Sequence, residues 1–127
     1  MTNQPAKILI AEDGAFLLKL YTAKLTEAGF TVVGALDGEE AINKATSEAP
    51  NIILLDMLMP KKNGYEILAA LKANPALASI PVIIFSSLEQ DEDVQKGLAA
   101  GASDYVTKSE SDTAGLIAKI NKLLPAA

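Results

Sequence analysis

Several short apolar runs in this chain stop abruptly at a polar side chain. Ile8, Leu9, Ile10 and Ala11 lead into Glu12 and Asp13, and Ile52 to Leu55 lead into Asp56. Val82, Ile83, Ile84 and Phe85 lead into Ser86, and Tyr105, Val106 and Thr107 lead into Lys108. A strand with one wet face would alternate apolar and polar residues, whereas an unbroken apolar run is the mark of a parallel strand covered on both faces. The residue after such a run sits at the carboxyl end of its strand, the rim where open α/β sheets place their ligands. The runs therefore predict both an architecture and a place on it where acids, a hydroxyl and a lysine converge.

Between these runs lie helix-like segments with their own start and stop signals. The first strand is read as Lys7–Ala11, followed by a helix over Ala15–Ala28 that Gly29 stops, and a second strand over Phe30–Gly34. Asp37 with Glu40 three residues later opens a helix running to about Ala49, and Asn51–Asp56 is the third strand. Asn63 with Glu66 opens the next helix, which runs to about Ala73, and Ile80–Ser86 is the fourth strand. Ser87 with Gln90 is read as the cap of a helix ending near Ala100, with Gly101 as its stop. Ser103–Thr107 and a helix from about Asp112 to Leu124 complete the pattern. Such βα units imply a doubly wound parallel α/β sheet with helices on both faces, because each crossover is right-handed. Ile52–Leu55 is expected at the centre, with Ile8–Ile10 beside it.

Composition narrows the chemistry. At 127 residues and 13.3 kDa the chain is one domain, 1–127 with a core over about 6–124, large enough to bury a core without staples. It has no cysteine and no histidine, which excludes disulfides, zinc–thiolate sites, catalytic triads with a histidine base and imidazole pH switches. The net charge is −5 and every basic residue is a lysine, spread along the chain. Without arginine there is no bidentate fork for phosphate or guanine, so direct nucleic-acid binding is not expected. The start lacks a basic-then-apolar signal pattern and no apolar run approaches the length of a membrane span. The expectation is a cytoplasmic protein with no membrane insertion.

The order and spacing of Glu12-Asp13, Asp56-Met57-Leu58-Met59-Pro60 with Gly64 following, Ser86-Ser87, and Tyr105 ahead of Lys108 resemble the receiver domain of two-component response regulators, over about Ala6 to Leu124. The resemblance implies a CheY-like, flavodoxin-like fold with strand order 2-1-3-4-5 and five helices. It implies that Asp56 accepts a phosphoryl group, with Mg²⁺ held by Asp13, Asp56 and the backbone carbonyl of Leu58, and with Glu12 acting mainly through a water. Ser86 would bond a phosphoryl oxygen, Lys108 would neutralise another, and Ser86 and Tyr105 would form the switch. Lys108 would pair with Asp56 before transfer, and its removal would leave metal binding largely intact. The donor would be a phosphohistidine on a sensor histidine kinase or histidine phosphotransfer protein. The output would be docking to a downstream protein target through the fourth helix, fifth strand and fifth helix, by a monomer or a weak phosphorylation-dependent dimer.

Two positions depart from the family pattern. Ser109 stands where the family usually has proline after the lysine, which speaks against a cis peptide there, at about 2.5–4 kcal/mol for a non-proline residue. Leu58 places an apolar side chain two residues past the acceptor, where it is expected to hinder attacking water and lengthen the phosphorylated state. Blander readings exist for the same residues: Glu12-Asp13 as a helix-leading pair, Ser86 as a cap, Tyr105 as a half-exposed strand tyrosine. Rival functions are a Mg²⁺-dependent aspartyl-phosphate phosphatase, a flavodoxin-like cofactor carrier and a phosphorylation-independent pseudo-receiver. The phosphatase lacks a second acid at position 58, and the carrier lacks a phosphate loop after the first strand. A phosphorylated switch rather than a turnover enzyme is the expectation, either stand-alone or as a receiver within a longer regulator or hybrid kinase.

Overall fold

A computed structural model describes residues 5–57, 63–87, 90–108 and 112–124. The order is β1 (Lys7–Ala11), α1 (Ala15–Glu27), β2 (Thr31–Ala35), α2 (Gly38–Glu48), β3 (Ile52–Leu55), α3 (Gly64–Ala73), β4 (Val82–Ser86), α4 (Asp91–Ala99), β5 (Asp104–Thr107) and α5 (Thr113–Leu123). The strands form one parallel sheet in the order β2-β1-β3-β4-β5. β3 is central and β1 lies against it, with Ala11 opposite Leu55.

The unbroken apolar runs serve both faces of the sheet by the two-residue alternation of a strand. Ile8, Ile10, Ile52, Leu54, Ile83 and Phe85 point into a core closed by Leu25 of α1 and by Leu116 and Ile120 of α5. Leu9, Ala11, Ile53, Leu55, Val82 and Ile84 point the other way, against Ala41 and Ala45 of α2 and Ile67, Leu68 and Leu71 of α3. Each wholly enclosed Leu or Ile contributes about 1.5–3 kcal/mol of transfer free energy, so the central strands hold the fold and set the rim above them.

Helix ends follow local chemistry. Asp37 Oδ1 accepts from Glu40 N at 2.8 Å while Glu40 Oε1 accepts from Leu36 N at 2.7 Å. Asn63 and Glu66 form the reciprocal pair read from the sequence, at 2.9 and 3.1 Å. Gly29 and Gly101 stop α1 and α4 at φ 103° and 116°, a left-handed backbone that glycine adopts without a Cβ clash. The α4 cap differs from the expectation. Ser87 does not open the helix; Gln90 is the cap, its N–H donating to Asp93 Oδ2 at 3.2 Å. Asp91, Glu92 and Asp93 fill the first turn, where the positive end of the helix dipole favours acids, and this moves the start past Ser87.

Candidate functional site

Three polar residues at the rim are each fixed by one further rung of the ladder beyond their strands. Glu12 N donates to Ala35 O at 3.0 Å, Asp56 N to Ala11 O at 3.0 Å, and Lys108 N to Ser86 O at 2.8 Å. Glu12 and Asp56 thereby stand at neighbouring strand ends. Together with Asp13 they offer carboxylate oxygens that all lie within 4.8 Å of one another. Glu12 and Asp56 are buried, at 5% and 6% exposure, while Asp13 is exposed and forms the open side of the cluster.

Two buried carboxylates this close repel each other and lose hydration, so each needs a compensating partner. Lys108 is one. Its side chain leaves β5, crosses β4 over the Phe85 ring at 5.7 Å, and bonds Asp56 Oδ2 at 3.3 Å and Glu12 Oε1 in a close contact. The pairing with Asp56 was expected; the pairing with Glu12 was missed. It arises because β1 and β3 are neighbours, so an ammonium over one acid lies within reach of the other. Burial pulls the Lys108 ammonium toward lower pKa, but the hydrogen bond it donates to Glu12 and the charges of Asp56 and Glu12 outweigh it and hold the pKa above 10.5. Glu12 Oε2 accepts from Gly14 N at 2.9 Å. The plain helix-capping reading of Glu12-Asp13 fails: Gly14 is the α1 N-cap, without a side-chain cap bond, and no acid lies in the first turn.

Ser86 is wholly buried and Tyr105 is 8% exposed, so Tyr105 is not the half-exposed tyrosine of the alternative reading. The phenol is hydrogen-bonded to Ser86, and it lies inward, packed under α4 at Gly97. Burial raises the Tyr105 pKa above 10.0, the Ser86 hydrogen bond opposes this, and the Asp93 charge adds to the rise. Gly97 was not singled out from the sequence. A Cβ there would lie 2.5 Å from Ile84 Cδ1 and 3.1 Å from the Tyr105 ring, so glycine lets α4 close over the tyrosine. Gly64 acts in the same way rather than by unusual dihedrals, since a Cβ would sit 2.7 Å from Met57 Cα. Leu58, Pro60 and Ser109 lie outside the described residues, and with them the Leu58 carbonyl and the peptide after Lys108.

A family model for the response regulator receiver domain matches residues 8–121. The chain belongs to the response regulator receiver family. It is 38% identical over 127 residues to the gliding motility regulatory protein of Myxococcus xanthus, covering 97% of this chain and 16% of that protein. It is 37% identical over 118 residues to the response regulator PleD of Caulobacter vibrioides, covering 93% of this chain and 26% of PleD. The chain thus spans a minor part of these relatives. Among solved structures, the receiver domain of the Francisella response regulator 1452 aligns with a TM-score of 0.86 at 31% identity, covering 93% of this chain and 95% of that one. The Vibrio cholerae chemotaxis protein CheY4 aligns with a TM-score of 0.87 at 27% identity, covering 94% and 99%. The doubly wound receiver fold in the order 2-1-3-4-5 is what the sequence implied by resemblance. Among the described residues no helix is long and apolar enough to cross a membrane.

Proposed function

We propose that this receiver is a phosphorylation-dependent switch in which Asp56 takes a phosphoryl group from a partner's phosphohistidine. The observation that carries the reading is the grouping of Glu12, Asp13 and Asp56 within 4.8 Å, with Lys108 laid across two of them. One lysine does not balance three carboxylates, and the donor set is all hard oxygen, which suits Mg²⁺. Asp13 and Asp56 would hold the ion, Glu12 would support it from the buried side, and the ion would offset the negative charge met by an incoming phosphoryl group.

The chain's own residues then do the rest. An Asp56 carboxylate oxygen attacks phosphorus, forming an Asp56 O–P bond as the N–P bond of the phosphohistidine breaks. The electron pair leaves with the imidazole nitrogen, which takes up a proton. Lys108 shifts from its acid partners toward a phosphoryl oxygen, and Ser86 donates to another. This is positioning and charge compensation rather than acid–base catalysis. Movement of Ser86 changes the setting of Tyr105 under α4, so the surface of α4, β5 and α5 reads out the state to a downstream protein.

Incubation with Mg²⁺ and acetyl phosphate, followed by intact mass, tests the reading. A gain of one phosphoryl group, lost in Asp56→Asn and with EDTA, is expected. Undiminished labelling of Asp56→Asn would reject the acceptor.

A further inference from the structure

Thr107 carries a hydroxyl that the switch just described does not use. Its Oγ1 is sealed from solvent and has no hydrogen-bond partner among the described residues. Such an orphan costs free energy in the state that leaves it unpaired, and a state that satisfied it would recover that cost. Its position suggests that state. Thr107 is the register partner of Ser86 across the β4–β5 ladder. By two-residue alternation it shares a face with Tyr105, whose phenol is already bonded to Ser86. Three hydroxyls therefore crowd one face of the sheet beside the rim.

We propose that Thr107 is a positioning residue that aims the Ser86 hydroxyl at the phosphoryl group. A serine hydroxyl has one proton and two acceptor lone pairs. Once Ser86 turns its proton to a phosphoryl oxygen, both lone pairs face the protein. Tyr105 O–H fills one and Thr107 O–H, after rotation about χ1, fills the other. The Thr107 orphan is then satisfied, and the two inward donations polarise the Ser86 proton toward the anion. No residue moves off its strand, because opposite positions of adjacent strands are only about 5 Å apart.

This rests on the proposed phosphorylation of Asp56, and the test separates the two. Thr107→Val keeps the shape and removes the hydroxyl, while Thr107→Ser keeps the hydroxyl and removes the methyl. Each is melted in Mg²⁺, then titrated with beryllofluoride as a stand-in for the phosphoryl group. Thr107→Val is expected to match or exceed the wild-type Tm in Mg²⁺ alone, yet to bind beryllofluoride roughly tenfold more weakly. Thr107→Ser is expected to bind it as the wild type does, even where its Tm falls in both conditions. Equal beryllofluoride affinity in Thr107→Val and wild type overturns the proposal, as does a Thr107→Ser that is weakened as much as Thr107→Val. If the wild-type chain itself takes no beryllofluoride in Mg²⁺, the phosphorylation reading falls and this inference falls with it.

Discussion

Replacing Lys108 by methionine keeps the side-chain stem and removes the only ammonium seen bonding Glu12 and Asp56 among the described residues. Removing one partner of a fully enclosed ion pair costs about 3–5 kcal/mol, because the remaining charge is left buried and uncompensated. Here the lysine side chain keeps 16% exposure and the cluster opens to water at Asp13, so part of that penalty relaxes. A loss of about 2 kcal/mol in EDTA is the reasoned value. For a chain of this size it lowers Tm by about 6–10 °C. Mg²⁺ held by these acids would replace the missing cation, so saturating Mg²⁺ should recover about half of the loss. Linkage then requires the variant to bind Mg²⁺ about fivefold more tightly than the wild type. The sequence suggested that removing this lysine would leave metal binding largely intact; the contact with Glu12 predicts tighter binding instead. Thermal melts with and without Mg²⁺, joined to a calorimetric Mg²⁺ titration, measure all three quantities. A variant that loses as much stability with Mg²⁺ as without, at unchanged Mg²⁺ affinity, would refute the competition between lysine and metal.

Further outcomes follow from the same geometry. Gly97→Ala forces a methyl against Ile84 Cδ1 and the Tyr105 ring, so unfolding in urea should show a loss of about 1–3 kcal/mol, partly restored by Ile84→Val. Lys108 and Tyr105 both have raised pKa values, so both favour the folded state below their ordinary values of 10.5 and 10.0. The unfolded chain gives up those protons first as pH rises, and stability should therefore fall above about pH 10. Melts across that range should show a smaller alkaline loss in Tyr105→Phe; an equal loss would mean the phenol is not involved. Asp37→Ala removes the bond to Glu40 N and should cost about 1 kcal/mol by chemical denaturation without changing Mg²⁺ affinity.

The fold was legible because β1, β3 and β4 are covered on both faces, and such strands leave unbroken apolar runs that no surface element imitates. The rim was legible for the same reason, since a polar residue stands out where a buried run stops. Pairwise reach across the sheet was not. The adjacency of β1 and β3 was expected, but strand order does not say which of two neighbouring acids a lysine reaching over β4 will touch, and so the Lys108–Glu12 contact did not show. Gly97 was silent because its importance lies in what a side chain would strike, Ile84 and Tyr105 on other elements. Thr107 read as an ordinary strand residue, and only its lack of a partner among the described residues sets it apart. The α4 start was misplaced because both Ser87/Gln90 and Gln90/Asp93 satisfy the same three-residue rule, and the acids of the first turn decide between them.

The account depends on one cation shared by acids from two strand ends. A Mg²⁺ titration of the wild type, Asp13→Asn and Asp56→Asn tests this most directly. One ion per chain, with affinity reduced at least tenfold in each variant, is the expected result. Wild-type affinity retained in both variants would place the metal elsewhere and contradict the account.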